Sequence, residues 1–246
     1  MNKALLTFDW DWAPDVLVEP IIDRLIEYRI PSIWFVTHST PLLDKLRTYE
    51  ELFELGIHPN FFKGSSQGNT EDEVVEYLLK IVPEARSVRT HGLYQSSNLI
   101  LKLGSQYGLK FDFSLFLPGC VIQPHEFFFG EQRITRIPYN WEDDVAMFYP
   151  SGLQNSYEHI SKIEKVIFDF HPIHVALNST SLQSYDTLRK VNPNLSDWTK
   201  EFCYPLVDIE VVGINSILDT LITSQRNVLL TLDNFLENEN RSDWAN

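Results

Sequence analysis

The sequence predicts an α/β fold: a distorted or incomplete (β/α) barrel of about seven to eight strands, with an open doubly wound sheet as the alternative. Three observations predict it. Short apolar runs alternate with amphipathic segments along the 246 residues, the pattern that builds a parallel sheet covered by helices. About eight such runs occur, enough to close a barrel. Neither a GxGxxG after the first run nor a Walker A sequence is present, which removes the main support for a nucleotide-binding open sheet. No repeat or low-complexity linker divides the chain, so residues 1–246 read as one domain.

The elements follow in order. The first strand is Ala4–Phe8. A helix runs from about Pro20, with Ile21, Ile22, Leu25 and Ile26 on one face; proline is tolerated in a first turn. SIWFVTH (32–38) reads as a buried second strand. LLDKLRTYEELFELG (42–56) keeps helical phase through Leu42, Leu46, Tyr49, Leu52 and Phe53, with Gly56 as its C-terminal cap. IHPNF (57–61) follows as a short third strand. TEDE (70–73) is a capping box for a helix through Leu78 and Leu79. SVRTH (87–91) is the fourth strand, and Ser96 or Ser97 caps a helix ending near Gly108. LKFDFSLF (109–116), RITRIPYNW (133–141) and KVIFDFHPIH (165–174) are strands. INSILDTLITSQ (214–225) is helical, and NVLLTL (227–232) is a last strand before a short helix. Segments 117–132 and 178–210 lack a regular pattern and are expected as long loops.

Hydrophobic residues make up 43% of the chain, enough for a real core. The net charge of -14 argues against nucleic acid and anionic membrane surfaces as partners, since both need clustered Lys and Arg. Cys120 and Cys203 form neither a CxxC nor a zinc-finger spacing. Met1-Asn-Lys leads into a strand with no apolar h-region, and no apolar run reaches membrane-spanning length. A cytoplasmic protein without a transmembrane segment is expected.

The polar residues gather at strand ends. LLTFDWDW (5–12) delivers Asp9 and Asp11 to the end of the first strand. His38 ends the second, His58 lies in the third, and Arg89 and His91 end the fourth. Asn140, Asp143 and Asp144 follow RIPYNW, and His171 and His174 end the late strand. In a parallel barrel these ends meet at one face, which carries the chemistry. A carboxylate with two imidazoles is a common metal set that leaves a position open for water. A second carboxylate can take a proton from that water. A histidine opposite can protonate a leaving amine, and Arg89 can orient a carboxylate. These are the parts for metal-assisted amide hydrolysis.

The motifs resemble those of the polysaccharide deacetylase superfamily (NodB-homology, carbohydrate esterase family 4). LLTFDWD is similar to the family's TFDD, ELGIHPNF to its second, histidine-bearing motif, VRTHG to RxPxG and VIFDFH to the closing LxH. NVLLTLDNFL is similar to the usual ending. The likeness spans residues 4 to about 236, in the family's order. DxD, a single GxHP histidine, RxH and HPxH most resemble a divergent WbmS-like branch linked to surface-polysaccharide biosynthesis. The resemblance implies Asp9 as general base, Asp11 and His58 as metal ligands, Arg89 as the holder of Asp9, and His171, aided by His174, as general acid.

Two departures matter. Trp10 separates aspartates that the family has adjacent, and Phe62 stands where a second histidine is usual. His91, in place of the family's proline, is expected to supply the missing ligand. Residues i and i+2 of a strand point the same way, so Asp9 would share a face with Asp11, and Arg89 with His91. The implied protein is a metal-dependent deacetylase hydrolysing an N-acetyl group on a sugar of O-antigen- or capsule-type biosynthesis. Its cofactor would be a divalent metal, zinc first, and its substrate a free, nucleotide- or lipid-linked N-acetylated sugar. The alternatives are a hydrolase of another amide or an O-acyl ester, and a catalytically silent carbohydrate-binding homologue. His38 is divided between pocket lining and packing; His125 and His159 are expected at the surface. Trp10, Trp12, Trp34 and Trp141 are expected mostly in the core, with a sugar pocket as the alternative place for some of them; Glu142-Asp143-Asp144 is expected as a solvated turn more than as a site, although the resembling family's fourth motif has an acid near a Trp at this point.

Overall fold

The computed structural model describes residues 1–149 and 151–237. β1 (Lys3–Asp9) leads to α1 (Asp15–Tyr28), β2 (Ser32–Val36), α2 (Leu42–Thr48), β3 (Phe53–Ile57), α3 (Glu71–Ile81), β4 (Ser87–Val88), α4 (Ser97–Ser105) and β5 (Phe111–Asp112). A hairpin of β6 (His125–Phe129) and β7 (Gln132–Arg136) precedes β8 (Trp141–Glu142), α5 (Asp143–Ala146), α6 (Leu153–Ile160) and β9 (Lys165–Phe170). The chain continues through α7 (Pro172–Ala176), α8 (Gln183–Val191), α9 (Lys200–Cys203), α10 (Ile214–Ser224) and α11 (Leu232–Leu236).

The strands form one sheet in the order β6-β7-β5-β4-β3-β2-β1-β9-β8. Every pairing is parallel except that of β6 with β7. The sheet curls until a single run, residues 132–142, borders both sides of the array. Its β7 part pairs with β5, and its β8 part pairs with β9. Between them Tyr139 bridges Phe116, and the Asn140 N–H reaches the Ile167 carbonyl at 3.4 Å. This is the distorted barrel that the sequence predicts. Pro138 splits the run into two strands because proline cannot donate to a ladder.

Side-chain alternation divides the core in two. Leu5, Ile33, Phe35, Phe113, Ile137, Tyr139 and Ile167 fill the barrel, closed below by Leu232 and Phe235 of α11. Leu6, Phe8, Trp34, Val36, Phe168 and Phe170 point outward and join Val18 and Ile22 of α1 and Leu218 of α10. Each such fully buried Leu, Ile or Phe stabilises the fold by about 1.5–3 kcal/mol relative to exposure.

Several expected boundaries move. α1 starts at Asp15 and takes Pro20 inside the helix, because Leu17 and Val18 extend its buried stripe. The helix expected over 42–56 ends at Thr48. Phe53–Ile57 instead pairs with β2 along five residues, and that ladder overrides the local helical phase. Gly56 is therefore a strand residue and not a cap. Its close approach demands glycine: a Cβ there would lie 2.8 Å from the Phe35 ring and 2.9 Å from the Ser87 carbonyl oxygen. The fourth strand stops at Val88 and the late strand at Phe170, where Pro172 opens α7. Segment 117–132 holds β6, with Gly130 at φ 61 in the hairpin turn. Segment 178–210 holds α8 and α9. NVLLTL is no strand; it offers one bridge, Leu229 to Ala4. Ser96 caps as expected, accepting from the Leu99 N–H, and Thr70 accepts from the Glu73 N–H; the expected capping box is half formed, since Glu73 Oε2 accepts from the Asn69 N–H and not from that of Thr70. No helix of the described residues is long and apolar enough to cross a membrane.

Candidate active site

The site begins where β1 ends. Leu5, Thr7 and Asp9 alternate toward the barrel interior, and Asp9 is buried. The chain then turns through Asp11 at φ 43 and Trp12 at φ 57. Two consecutive non-glycine residues in the left-handed region cost roughly 1–2 kcal/mol each. Anchors on both sides hold them there. The Trp10 N–H donates to the Phe35 carbonyl at 3.1 Å, its indole N–H to the Ala13 carbonyl at 3.0 Å, and the Trp12 N–H to Thr37 Oγ1 at 3.2 Å. Asp11 thus reaches the site by a turn, and not by sharing a strand face with Asp9.

Asp11 meets two histidines. Its Oδ1 lies 3.1 Å from His58 Nε2 and 3.1 Å from His91 Nδ1, and the two ring nitrogens are 3.3 Å apart. His58 follows β3 and is buried; His91 opens a short 3-10 turn, its N–H donated to the Pro59 carbonyl at 2.9 Å. Here too a turn, not strand alternation, separates His91 from Arg89. Burial works to raise the Asp11 pKa, but hydrogen bonds from His58 and His91 and the charges of His58 and His171 hold it well below the usual carboxylate range. Burial lowers and Asp11 raises the His91 pKa, with a net rise.

This donor set fits a divalent cation. Ligands bonded tetrahedrally at about 2.0–2.1 Å stand roughly 3.3 Å from one another, which matches the spacing of the three atoms. Their types, one carboxylate oxygen and two imidazole nitrogens, suit such an ion.

Arg89 lies beneath the cluster, fully buried, its guanidinium 4.6 Å from the Phe35 ring centroid and 4.2 Å from that of Tyr139. It donates to Asp9 Oδ1 at 2.9 Å and to Asp169 Oδ1. Burial opposes its charge, but Asp169 and Asp9 together raise its pKa. Asp169 was not expected from the sequence. Its one signal is an acid in the apolar run KVIFDFH, two residues from inward-facing Ile167. Burial pushes its carboxyl well above the ordinary range, against the charge of Arg89. Asp9, Asp169 and His171 also offer atoms within 4.8 Å of one another, and Arg89 holds one oxygen, Oδ1, of each of the two carboxylates.

His171 caps α7. Asp143 clamps it twice, Oδ1 at 2.7 Å from Nδ1 and Oδ2 accepting the backbone N–H at 2.8 Å. Its Nε2 lies 3.7 Å from Asp11 Oδ2. Burial lowers the His171 pKa, but Asp143, then Asp11 and Asp169, lift it well above the ordinary value. The Glu142-Asp143-Asp144 stretch is therefore not a solvated turn: Asp143 is fully buried. Burial, and then the Asp144 charge, push Glu142 up to about 8. His174 sits behind His171, ring centroids 5.9 Å apart, facing Ser179 Oγ at 3.2 Å and the Tyr185 ring. Burial lowers its pKa.

The other polar candidates stand apart. His38 contacts Thr37 and Trp10. Asn140 joins strands, its Nδ2 donating to the Cys120 and Lys165 carbonyls. His159 is exposed and His125 half-exposed. Trp10, Trp34 and Trp141 are core residues, while Trp12 is half-buried against His91. The two cysteines are free. The assembled groups place a donor set suited to a cation beside the Asp9 carboxylate, 3.6 Å from His58, and the His171 imidazole, 3.7 Å from Asp11.

A family model described as WbmS-like polysaccharide deacetylase matches residues 6–189. Among solved structures, a Bordetella bronchiseptica protein described as a polysaccharide deacetylase involved in O-antigen biosynthesis (WbmS) superposes with a TM-score of 0.77. It is 32% identical, over 92% of this chain and 91% of that one. The 4-α-glucanotransferase of Thermococcus litoralis superposes with a TM-score of 0.54 at 13% identity, over 96% of this chain and 38% of that one, and shares the fold alone. Among curated proteins, the zinc finger and BTB domain-containing protein 40 of Homo sapiens is 26% identical over 119 residues. That stretch is 47% of this chain and only 10% of the human protein.

Proposed function

Since the chain belongs to the WbmS-like polysaccharide deacetylase family, we propose that it is a metal-dependent N-deacetylase of surface-polysaccharide biosynthesis. Its substrate is an N-acetylated sugar, free or carried on a nucleotide or lipid, met in the cytoplasm as a precursor. The observation that carries this reading is the meeting of Asp11, His58 and His91 at 3.1–3.3 Å, with Asp9 3.6 Å from His58 and His171 3.7 Å from Asp11.

A divalent cation held by Asp11, His58 and His91, zinc first by donor type, would supply Lewis acidity that polarises the acetyl carbonyl and acidifies water. The chain's own groups do the rest. Arg89 holds Asp9 Oδ1, leaving Oδ2 toward the cluster to take the proton of the attacking water. The water oxygen bonds to the acetyl carbon and the C–N bond breaks. His171 holds one proton on Nδ1 against Asp143 and gives the other, from Nε2, to the departing amine. The products are acetate and the free amino sugar.

The test is metal content of protein purified without chelator, compared with His58→Ala and His91→Ala, alongside acetate release from N-acetyl sugars. About one divalent ion per chain, lost in both variants together with acetate release, is expected. If the wild type takes up no ion even when zinc is supplied, the hydrolytic reading fails and the silent sugar-binding alternative replaces it.

A further inference from the structure

Curling a sheet into a barrel removes its edges, but this closure leaves one behind. The run 132–142 joins the two sides of the array through β7 and β8, and β6 stays outside the ring as the first strand of the sheet. Its sequence, His125-Glu126-Phe127-Phe128-Phe129, contains none of the lysines, prolines or bulges that ordinarily guard an exposed edge. Phe128 is 66% and Phe129 77% exposed, so the edge is apolar as well as open.

The hairpin fixes which backbone groups this edge offers. Its loop is Gly130 and Glu131 alone, between the paired residues Phe129 and Gln132. The pair flanking such a loop is hydrogen-bonded, and bonded and non-bonded pairs then alternate along the ladder. Phe129, Phe127 and His125 therefore spend their N–H and C=O groups on β7. Glu126 and Phe128 turn theirs to the outer side, where the sheet has no further strand. Side chains alternate as well. His125, Phe127 and Phe129 share one face, and Phe127 packs there on the outer core. Glu126 and Phe128 share the other with Arg133, which lies across the ladder from Phe128. Glu126 and Arg133 are exposed and hold no ion pair among the described residues.

We propose that β6 pairs antiparallel with β6 of a second copy of this chain, about a two-fold axis at Phe127. In that register the strand is complementary to itself, as a two-fold contact requires. Glu126 of each copy faces Phe128 of the other, so every outward N–H and C=O of the strand finds a partner. Phe127 meets its own counterpart in a close, non-hydrogen-bonded pair, with His125 opposite Phe129 on either side. On the other face, Glu126 of one copy stands two strands, about 10 Å, from Arg133 of the other. The two side chains close that gap over the Phe128 ring, where a guanidinium is also attracted by the aromatic face. An unrelated strand can take the same backbone bonds, but nothing in it dictates this match of rings and charges. The association does not depend on the chemistry of the strand-end cluster.

The test is sedimentation equilibrium of the full chain at micromolar concentrations. The wild type is expected as a dimer. Phe128→Pro removes an outward N–H and no bond to β7, and should weaken the dimer by about tenfold or more. Glu126→Arg or Arg133→Glu alone sets like charges against each other and should weaken it by about tenfold. The two together exchange the signs, renew the attraction and should restore it. Circular dichroism and melting of each variant check that the fold is kept, and Phe128→Lys takes the place of a proline variant that does not fold. A wild type that stays monomeric, a dimer that the Phe128 variants leave unchanged, or a double charge exchange that fails to restore association overturns the proposal.

Discussion

Replacing Asp143 with Asn tests whether this residue holds on His171 the proton that the proposed mechanism uses. Asp143 is fully buried and makes two hydrogen bonds to His171, at 2.7 and 2.8 Å. Asn keeps the volume and one acceptor but removes the charge. A hydrogen bond to a charged group is worth about 1.5–3 kcal/mol, and each pKa unit corresponds to about 1.4 kcal/mol. The His171 pKa should therefore fall by about one to two units. In a kcat-against-pH profile, the alkaline limb moves to lower pH by that amount. Activity is lost about tenfold to a hundredfold above the limb and recovered below it. Stability follows the same sign. A raised histidine pKa contributes stability that is complete below the unfolded value and disappears as pH rises through the folded value. Asp143→Asn should thus destabilise most at acid pH. Metal content should not change, since Asp143 touches none of Asp11, His58 and His91. A uniform loss of kcat with the limb unmoved would refute the reasoning.

Three further outcomes can be measured. Glu142, pushed up to about 8, keeps its proton in the fold but loses it near 4.3 when unfolded; its contribution to stability falls as pH rises through that window. Glu142→Gln should match the wild-type melting temperature at acid pH and exceed it at alkaline pH, and parallel curves would contradict this. Arg89→Met leaves Asp9 and Asp169 buried without their cation and should cost about 3–5 kcal/mol in urea unfolding; a loss under about 1 kcal/mol would show that the two acids do not depend on it. Gly56→Ala forces a Cβ against Phe35 and the Ser87 carbonyl and should cost about 1–3 kcal/mol by thermal melting.

Much of this molecule was legible where apolar runs are continuous. β1, β2 and β9 are such runs because a parallel strand is buried on both faces. β3 was misread because Leu46, Tyr49, Leu52 and Phe53 keep helical phase, and only pairing with β2 decides otherwise. The β6–β7 hairpin was missed because its three phenylalanines do not alternate, although Gly130 marks the turn. In the site, Asp9, Asp11, His58, Arg89, His91 and His171 could be singled out because polar groups at the ends of apolar strands are conspicuous, and the structure brings them together. Their convergence follows from parallel strand ends meeting at one face, as expected; the expected sharing of strand faces by Asp9 with Asp11 and by Arg89 with His91 does not hold, because turns at Asp11 and His91 aim those side chains. Asp169 was hidden because an inward acid in an apolar strand is intelligible only once Arg89 is known to sit opposite. Asp143 stood among the polar strand ends, but its stretch read as a solvated turn because acids after a strand are usually solvated.

The ring of strands closes on residues that are far apart in the chain: β1 lies between β2 and β9. This has a consequence for biosynthesis. The three donor atoms of the candidate metal cluster are all translated by residue 91, whereas Asp143 and His171 emerge long afterwards. On the ribosome, the nascent chain carries a cation-ready sequence before it carries its acid. Only when β9 slots in beside β1 does His171 arrive, directly after the strand that completes the wall of the barrel. On the function proposed above, closure of the barrel and arrival of the proton donor would be one event, and a chain stalled before β9 would hold Asp11, His58 and His91 without His171.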